Sequence, residues 1–95
     1  MMYSVSTELY EEVASRLKDA IGGGSYFSGS LTFEWEGIEC RLTASVIVYR
    51  RRVSYPEGDR DELTDLVPVW WEFHTTGPEG EFPNDFSFSE LRALF

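Results

Sequence analysis

The sequence predicts an α+β domain: an N-terminal amphipathic helix packed on a three-stranded antiparallel β-meander, with a short C-terminal helix. Three observations carry this prediction. Apolar residues recur at helical spacing near the N-terminus, they alternate with period two on both sides of Glu36-Gly37, and a second alternating segment follows residue 66. Because 95 residues are enough for one hydrophobic core, we expect a single domain over residues 1–95.

The first helix is predicted over about residues 6–21. Ser6 is a suitable N-cap, and Glu8 lies in the first turn, where the helix dipole favours an anion. Gly22-Gly23-Gly24 then ends the helix. Because these glycines follow a helix and precede a strand, we interpret them as a helix end rather than as a phosphate-binding loop, which has the opposite order. The apolar stripe of the helix contains Leu9, Val13, Leu17 and Ile21.

The turn at Glu36-Gly37 sets the register of the first predicted hairpin, with strands over about residues 26–35 and 38–50. Glycine accepts the positive φ that a two-residue turn requires, and alternating apolar residues flank it on both sides. The register then places one apolar set on one side of the sheet, which we call the inner face. Its expected pairs are Trp35 with Ile38, Phe33 with Cys40, Leu31 with Leu42, Gly29 with Ala44 and Phe27 with Val46.

A third strand is predicted over about residues 67–76, after a turn at Glu57-Gly58. Pro68 places at least the start of this strand at a sheet edge. A bulge between residues 50 and 66 would shift the register by one. Without a bulge, the expected inner-face pairs are Val46 with Val69, Ala44 with Trp71 and Leu42 with Phe73.

The last part of the chain is predicted as an irregular loop over residues 77–85 and a helix over about residues 88–95. Ser87 and Glu90 have the spacing of a capping box. A helix of this length is not stable alone, so its apolar residues must dock on the rest of the domain.

Composition excludes several classes of function. The formal charge is −9, from 17 acidic and 8 basic residues, which disfavours direct binding of nucleic acid. A single cysteine forms no internal disulfide, so a cytoplasmic location is the expectation. No leader pattern opens the chain and no apolar run is long enough to span a bilayer, so we expect no membrane partner.

No motif supports a catalytic, metal or cofactor-binding residue. Cys40 and His74 are the only cysteine and histidine, and the register places them on opposite faces of the sheet. Asp59, Asp61 and Asp65 resemble the start of a calcium loop, but the later ligands and the glycine are missing. We interpret them as partners of nearby arginines. The expectation is a non-enzymatic protein without a cofactor.

The opposite side of the sheet, which we call the outer face, is the candidate interaction surface. It combines aromatic, aliphatic, hydroxyl and charged side chains, and Trp, Tyr and Arg dominate interface hot spots. The alternative is that the C-terminal segment folds over Trp70 through its phenylalanines and buries this surface. The candidate residues are Tyr26, Arg41, Thr43, Ile47, Trp70, Glu72 and His74.

The leading hypothesis is a small acidic interaction module that binds a protein partner or itself, through the outer face or an exposed strand edge. A second hypothesis is an antagonist whose acidic surface imitates nucleic acid and occupies a basic groove on a nucleic-acid-binding protein. A third is a small-molecule site on the outer face that uses Arg41, Glu72 and His74.

Overall fold

A computed structural model describes residues 2–95 and shows two helices and one four-stranded antiparallel sheet of order β1-β2-β3-β4. The fold class is as predicted, with one strand more than expected. The elements are α1 (Thr7–Ile21), β1 (Tyr26–Trp35), β2 (Ile38–Tyr55), β3 (Gly58–Gly77), β4 (Gly80–Phe82) and α2 (Phe88–Arg92). Neither helix is long and apolar enough to cross a lipid bilayer.

Helix α1 begins at Thr7, directly after the predicted N-cap Ser6, and ends at Ile21 as predicted. The Ser6 hydroxyl accepts a hydrogen bond from the backbone N–H of Leu9 at 3.2 Å, which satisfies one of the free donors of the first turn. Gly22 has a φ of +58°, and its N–H donates to the carbonyl of Lys18, so the triple glycine is a helix end. The apolar stripe is buried against the inner face of the sheet.

The first hairpin has the predicted register at every position from Tyr26 to Trp35. Glu36 and Gly37 both have positive φ, at +49° and +81°, which is the signature of a type I′ turn. Because the twist of this turn matches that of the flanking strands, the two strands pair without a bulge. The inner face of this hairpin includes the buried side chains of Phe33, Cys40 and Leu42.

The second hairpin differs from the prediction in its turn and its length. Tyr55 pairs with Gly58, so the turn is Pro56-Glu57, one residue earlier than predicted. β3 contains two extra residues, Thr64 and Val69, each at a register shift. The earlier turn displaces the pairing by two positions and the two extra residues restore it. The pairs Ala44 with Trp71 and Leu42 with Phe73 are therefore confirmed, whereas Val46 pairs with Pro68 instead of Val69.

The longer strands form a two-stranded arm that extends the molecule to 53 Å in its longest dimension. The arm lies beyond Tyr49 and Asp65, and two of its cross-strand pairs, Arg51 with Glu62 and Arg52 with Asp61, join opposite charges. The Arg52 guanidinium lies 3.4 Å from the Asp61 carboxylate, as the pairing of arginines with nearby acids predicted. Arg50 instead donates to the backbone carbonyls of Gly22 and Gly24, which ties the base of the arm to the end of α1.

The segment predicted as an irregular loop contains β4, which pairs with the end of β3. Gly77 pairs with Gly80 around Pro78-Glu79, so this turn repeats the Pro-Glu-Gly sequence of the arm turn at Pro56-Glu57-Gly58. Proline suits the second position of a type I turn and glycine the fourth.

The C-terminal segment docks on the inner face beside α1. The Phe86 ring stacks on Phe73, with centroids 4.2 Å apart, and also packs against Tyr10 of α1. Trp71, predicted in the core, lies at its margin beside Phe86 with 37% of its surface exposed. Helix α2 ends at Arg92, earlier than predicted, and the Ser87 side chain makes no capping hydrogen bond.

Candidate functional site

The outer face of the sheet is open in the structure. The C-terminal segment covers the inner face, because the Phe86 ring stacks on the inner-face residue Phe73. The alternative in which this segment buries Trp70 is therefore wrong. Trp70 retains 49% of its accessible surface.

The register brings all seven candidate residues together on this face. Three successive rows cross β1, β2 and β3, and the opposed residues of each row have side chains on the same side. The rows are Ser28, Ser45 and Trp70, then Ser30, Thr43 and Glu72, then Thr32, Arg41 and His74. Tyr26 and Ile47 form a further row with Val67.

One end of the outer face is apolar. Tyr26, Ile47, Tyr49 and Trp70, which we call the apolar patch, expose between 38% and 56% of their surface. Sequence reasoning missed Tyr49, although it follows Ile47 by two residues in β2 and therefore lies on the same face of the sheet. It also missed Val69, which is 63% exposed, because a residue inserted at a bulge does not follow the alternation.

The middle of the outer face is a stripe of short hydroxyl side chains. The hydroxyls of Ser28 and Ser45 are 2.9 Å apart, and those of Ser30 and Thr43 are 2.8 Å apart. These cross-strand hydrogen bonds pair the side chains with one another and hold them close to the sheet. The stripe is therefore a flat, ordered surface between the two ends of the face.

The other end of the outer face is charged. The His74 ring lies 2.9 Å from Glu72 through Nε2 and 3.1 Å from Glu81 of β4 through Nδ1. The hydrogen bond to Glu72, followed by that to Glu81, raises the pKa of His74 above its ordinary value. Arg41 lies opposite His74 in the register. Glu81 was missed because β4 was not predicted, and the repeated Pro-Glu-Gly sequence was the available signal.

Two glutamates lie directly opposite each other beside this charged end. Glu34 of β1 pairs with Glu39 of β2, and both are exposed. Like charges in this position destabilise a sheet by a few tenths of a kcal/mol to about 1 kcal/mol. The pair therefore contributes negative potential at a cost to folding.

The structure does not bring together the residues that the sequence suggested for catalysis or metal binding. Cys40 is buried on the inner face and burial raises the pKa of its thiol, whereas His74 lies on the outer face. Within residues 2–95, no three His, Cys, Asp or Glu side chains are arranged to hold a metal ion. Asp59, Asp61 and Asp65 bond to Ser54, Arg52 and Arg92, respectively.

A shallow groove beside β3 and β4 lies between the two faces, because its lining includes His74 and Glu81 as well as Phe73 and Phe86 of the inner side. Its polar side chains already have partners. His74 bonds to two glutamates, and the Asn84 amide donates to the Phe73 carbonyl and accepts from the Phe86 N–H. Arg41 is not part of its lining. The groove therefore offers a ligand few free hydrogen-bonding groups.

We expect the pKa of His74 to exceed the ordinary value when it is measured by NMR titration of the ring protons. The pKa of His74 is higher in the folded chain than in the unfolded chain. The stabilisation that its two glutamates provide is therefore fully present below the pKa of the unfolded chain, and it is lost as pH rises through the pKa of the folded chain. His74→Gln should therefore cost more at pH 5.5 than at pH 8.5, by less than about 1 kcal/mol because the glutamates are exposed.

The two carboxylates provide the controls for this titration. Glu72→Gln and Glu81→Gln should each lower the pKa of His74 towards its ordinary value, with the larger change for Glu72. An unchanged pKa in both variants would contradict the assignment of these partners.

The outer face is thus apolar at one end, hydroxyl-rich in the middle and charged at the other. Comparison of the chain with protein-family models, curated proteins and solved structures finds no match.

Proposed function

We propose that the protein is a non-enzymatic interaction module whose outer face binds a protein partner. The observation that carries this proposal is the apolar patch. Its side chains remain exposed while the chain uses a C-terminal segment and both helices to cover the inner face. Large apolar residues grouped on one side of a small domain are typical of a binding surface.

The two ends of the face suggest complementary roles in binding. Trp70 and Ile47 would anchor an apolar side chain of the partner, while Glu34, Glu39 and Glu81 would attract a basic group at the other end. The four-stranded sheet holds these groups in a fixed arrangement. A partner would therefore lose little free energy to ordering of this surface.

The test uses two tryptophans that are adjacent in sequence and lie on opposite faces. Trp70→Ala removes an outer-face anchor, and Trp71→Ala removes a comparably exposed tryptophan on the inner face. The full-length chain and both variants would be used to capture proteins from the source cell. Each captured protein would then be purified and its affinity measured directly by calorimetry.

We expect Trp70→Ala to weaken binding by about tenfold or more, which corresponds to about 1.4 kcal/mol. Trp71→Ala should bind as the unchanged chain does, provided that circular dichroism shows it folded. Equal binding by all variants, or a loss confined to Trp71→Ala, would contradict the proposal.

The nucleic-acid-imitating antagonist remains a second candidate because Glu34 and Glu39 are directly opposed. A surface that imitates phosphates would bind a basic partner with an affinity that falls steeply with salt. Glu34→Gln and Glu39→Gln would then weaken binding at low salt more than Trp70→Ala does. An affinity that is flat between low and high salt would remove this candidate.

A further inference from the structure

Strand β1 forms one edge of the sheet, and within residues 2–95 no strand pairs with its free side. The Ser25 carbonyl accepts a hydrogen bond from the Val48 N–H, which continues the β1–β2 ladder beyond the strand. Since the residues of an antiparallel strand direct their backbone groups to alternate sides, every second residue after Ser25 faces β2. The intervening residues point their N–H and C=O groups to solvent. They are Tyr26, Ser28, Ser30, Thr32 and Glu34, and all are exposed.

This edge lacks the features that normally prevent strands from pairing between molecules. β1 has ten residues, no proline, no lysine and no bulge, and Glu34 is its only charged residue. The opposite edge of the sheet is formed by β3 and the short strand β4, and it does contain such features. β4 pairs with only the last three residues of β3, and the remaining edge of β3 contains Pro68 and the two extra residues, Thr64 and Val69.

We propose that β1 pairs with β1 of a second copy of this chain, antiparallel and with Ser30 on the two-fold axis. In this register Ser28 lies opposite Thr32 of the second copy and Tyr26 opposite Glu34. All five residues that direct backbone groups to solvent then find partners, which gives ten backbone hydrogen bonds. The inner-face residues match as well, because Phe27 lies opposite Phe33 and Gly29 opposite Leu31.

The side chains that flank the edge are compatible with a second copy. A groove between α1 and β1 is lined by Arg16, Asp19, Ser30, Leu31 and Thr32. A two-fold axis near Ser30 would place the Arg16 and Asp19 side chains of both copies beside the interface, with Arg16 already paired with Glu12 of its own helix at 2.8 Å. The hydroxyl side chains of β1 would extend the hydrogen-bonded stripe that already crosses from β1 to β2.

The chain's own charge opposes this association. Two copies of charge −9 repel each other, and salt screens that repulsion while leaving backbone hydrogen bonds and apolar contacts intact. The dimer should therefore become tighter as salt rises. An outer-face complex with a basic partner has the opposite dependence, so this inference and the proposed function succeed or fail separately.

The first test measures the mass of the full-length chain by sedimentation equilibrium, at low and high sodium chloride. A single pair of strands is a small interface, so we expect a dissociation constant weaker than about 1 µM. The dimer should therefore form as the protein concentration is raised from about 1 µM to about 1 mM. The dimer fraction should rise with salt. A monomer throughout that range of protein and salt concentrations would overturn the proposal.

A matched pair of variants then locates the interface. Ser30→Lys and Thr43→Lys each break the same 2.8 Å hydrogen bond and add the same charge on the same face, but only Ser30 lies at the edge. Ser30→Lys places two ammonium groups opposite each other on the axis and should weaken the dimer at least about tenfold. Thr43→Lys should leave the dimer intact, and equal effects of the two variants would contradict edge pairing.

Ser30→Pro supplies a second, backbone-specific test. The Ser30 N–H points away from β2, so proline removes no hydrogen bond within the sheet and is tolerated at such an edge position. Circular dichroism would check that the variant is folded. We expect a monomer, and a folded variant that dimerises as the unchanged chain does would refute the proposed register.

Discussion

Replacing Phe86 with alanine is expected to lower the free energy of unfolding by about 3–5 kcal/mol. Phe86 is 7% exposed and joins three parts of the molecule. Its ring stacks on Phe73 of β3 at 4.2 Å, lies 5.2 Å from the Tyr10 ring of α1 and meets the edge of Trp71 at 5.6 Å. Truncation leaves a cavity and removes the contact that holds the C-terminal segment between β3 and α1.

Urea unfolding followed by circular dichroism would measure this loss. Phe86→Leu should cost less than Phe86→Ala because it retains most of the buried volume, and it keeps the test available if the alanine variant does not fold. Phe82→Ala is the control, because Phe82 is only half-buried and meets one aromatic neighbour, Tyr3. A Phe82→Ala loss equal to that of Phe86→Ala would contradict the central role of Phe86.

The first hairpin could be predicted residue by residue because its turn and its alternation are local signals. A two-residue type I′ turn leaves one possible pairing, and no bulge interrupts it. The second hairpin could not be predicted in this way. The turn position and the two extra residues, Thr64 and Val69, have opposite effects on register, and neither inserted residue has a sequence signal of its own.

The candidate site was predicted in its composition but not in its surroundings. Alternation alone placed Trp70, Glu72 and His74 on the outer face, since a period of two needs no tertiary information. Which face the C-terminal segment covers depends on long-range packing of Phe86 on Phe73, and sequence spacing does not encode that choice. Glu81 could be placed beside His74 only by predicting β4. The sequence signal for that strand was its Pro-Glu-Gly turn, which repeats the turn of the arm.

The free edge of β1 and the open outer face are adjacent features of one sheet. Pairing of β1 strands would join two four-stranded sheets into one, with both outer faces on the same side and an apolar patch on each copy. A partner with two binding segments would then gain from their proximity on the dimer. Dimerisation through the β1 edge and partner binding through the outer face would then reinforce each other, although different variants abolish each of them.

Leu42→Ala and Trp70→Ala compare the two faces of the sheet directly. Leu42 is 1% exposed at the centre of the inner face, beside Phe73 and Leu31 in the register, so we expect a loss of about 2–5 kcal/mol in the free energy of unfolding. Trp70 is a larger side chain, but about half of its surface is exposed. We expect its replacement to cost about 1 kcal/mol or less.

Chemical denaturation of both variants under the same conditions would test this asymmetry. Thr43→Ala serves as a small outer-face control, since it removes only a methyl group and one exposed hydroxyl hydrogen bond. If Trp70→Ala destabilised the fold as much as Leu42→Ala, then Trp70 would belong to a second core and the binding proposal would lose its main support. If the loss is small, stability does not account for a tryptophan in this position, as the binding proposal requires.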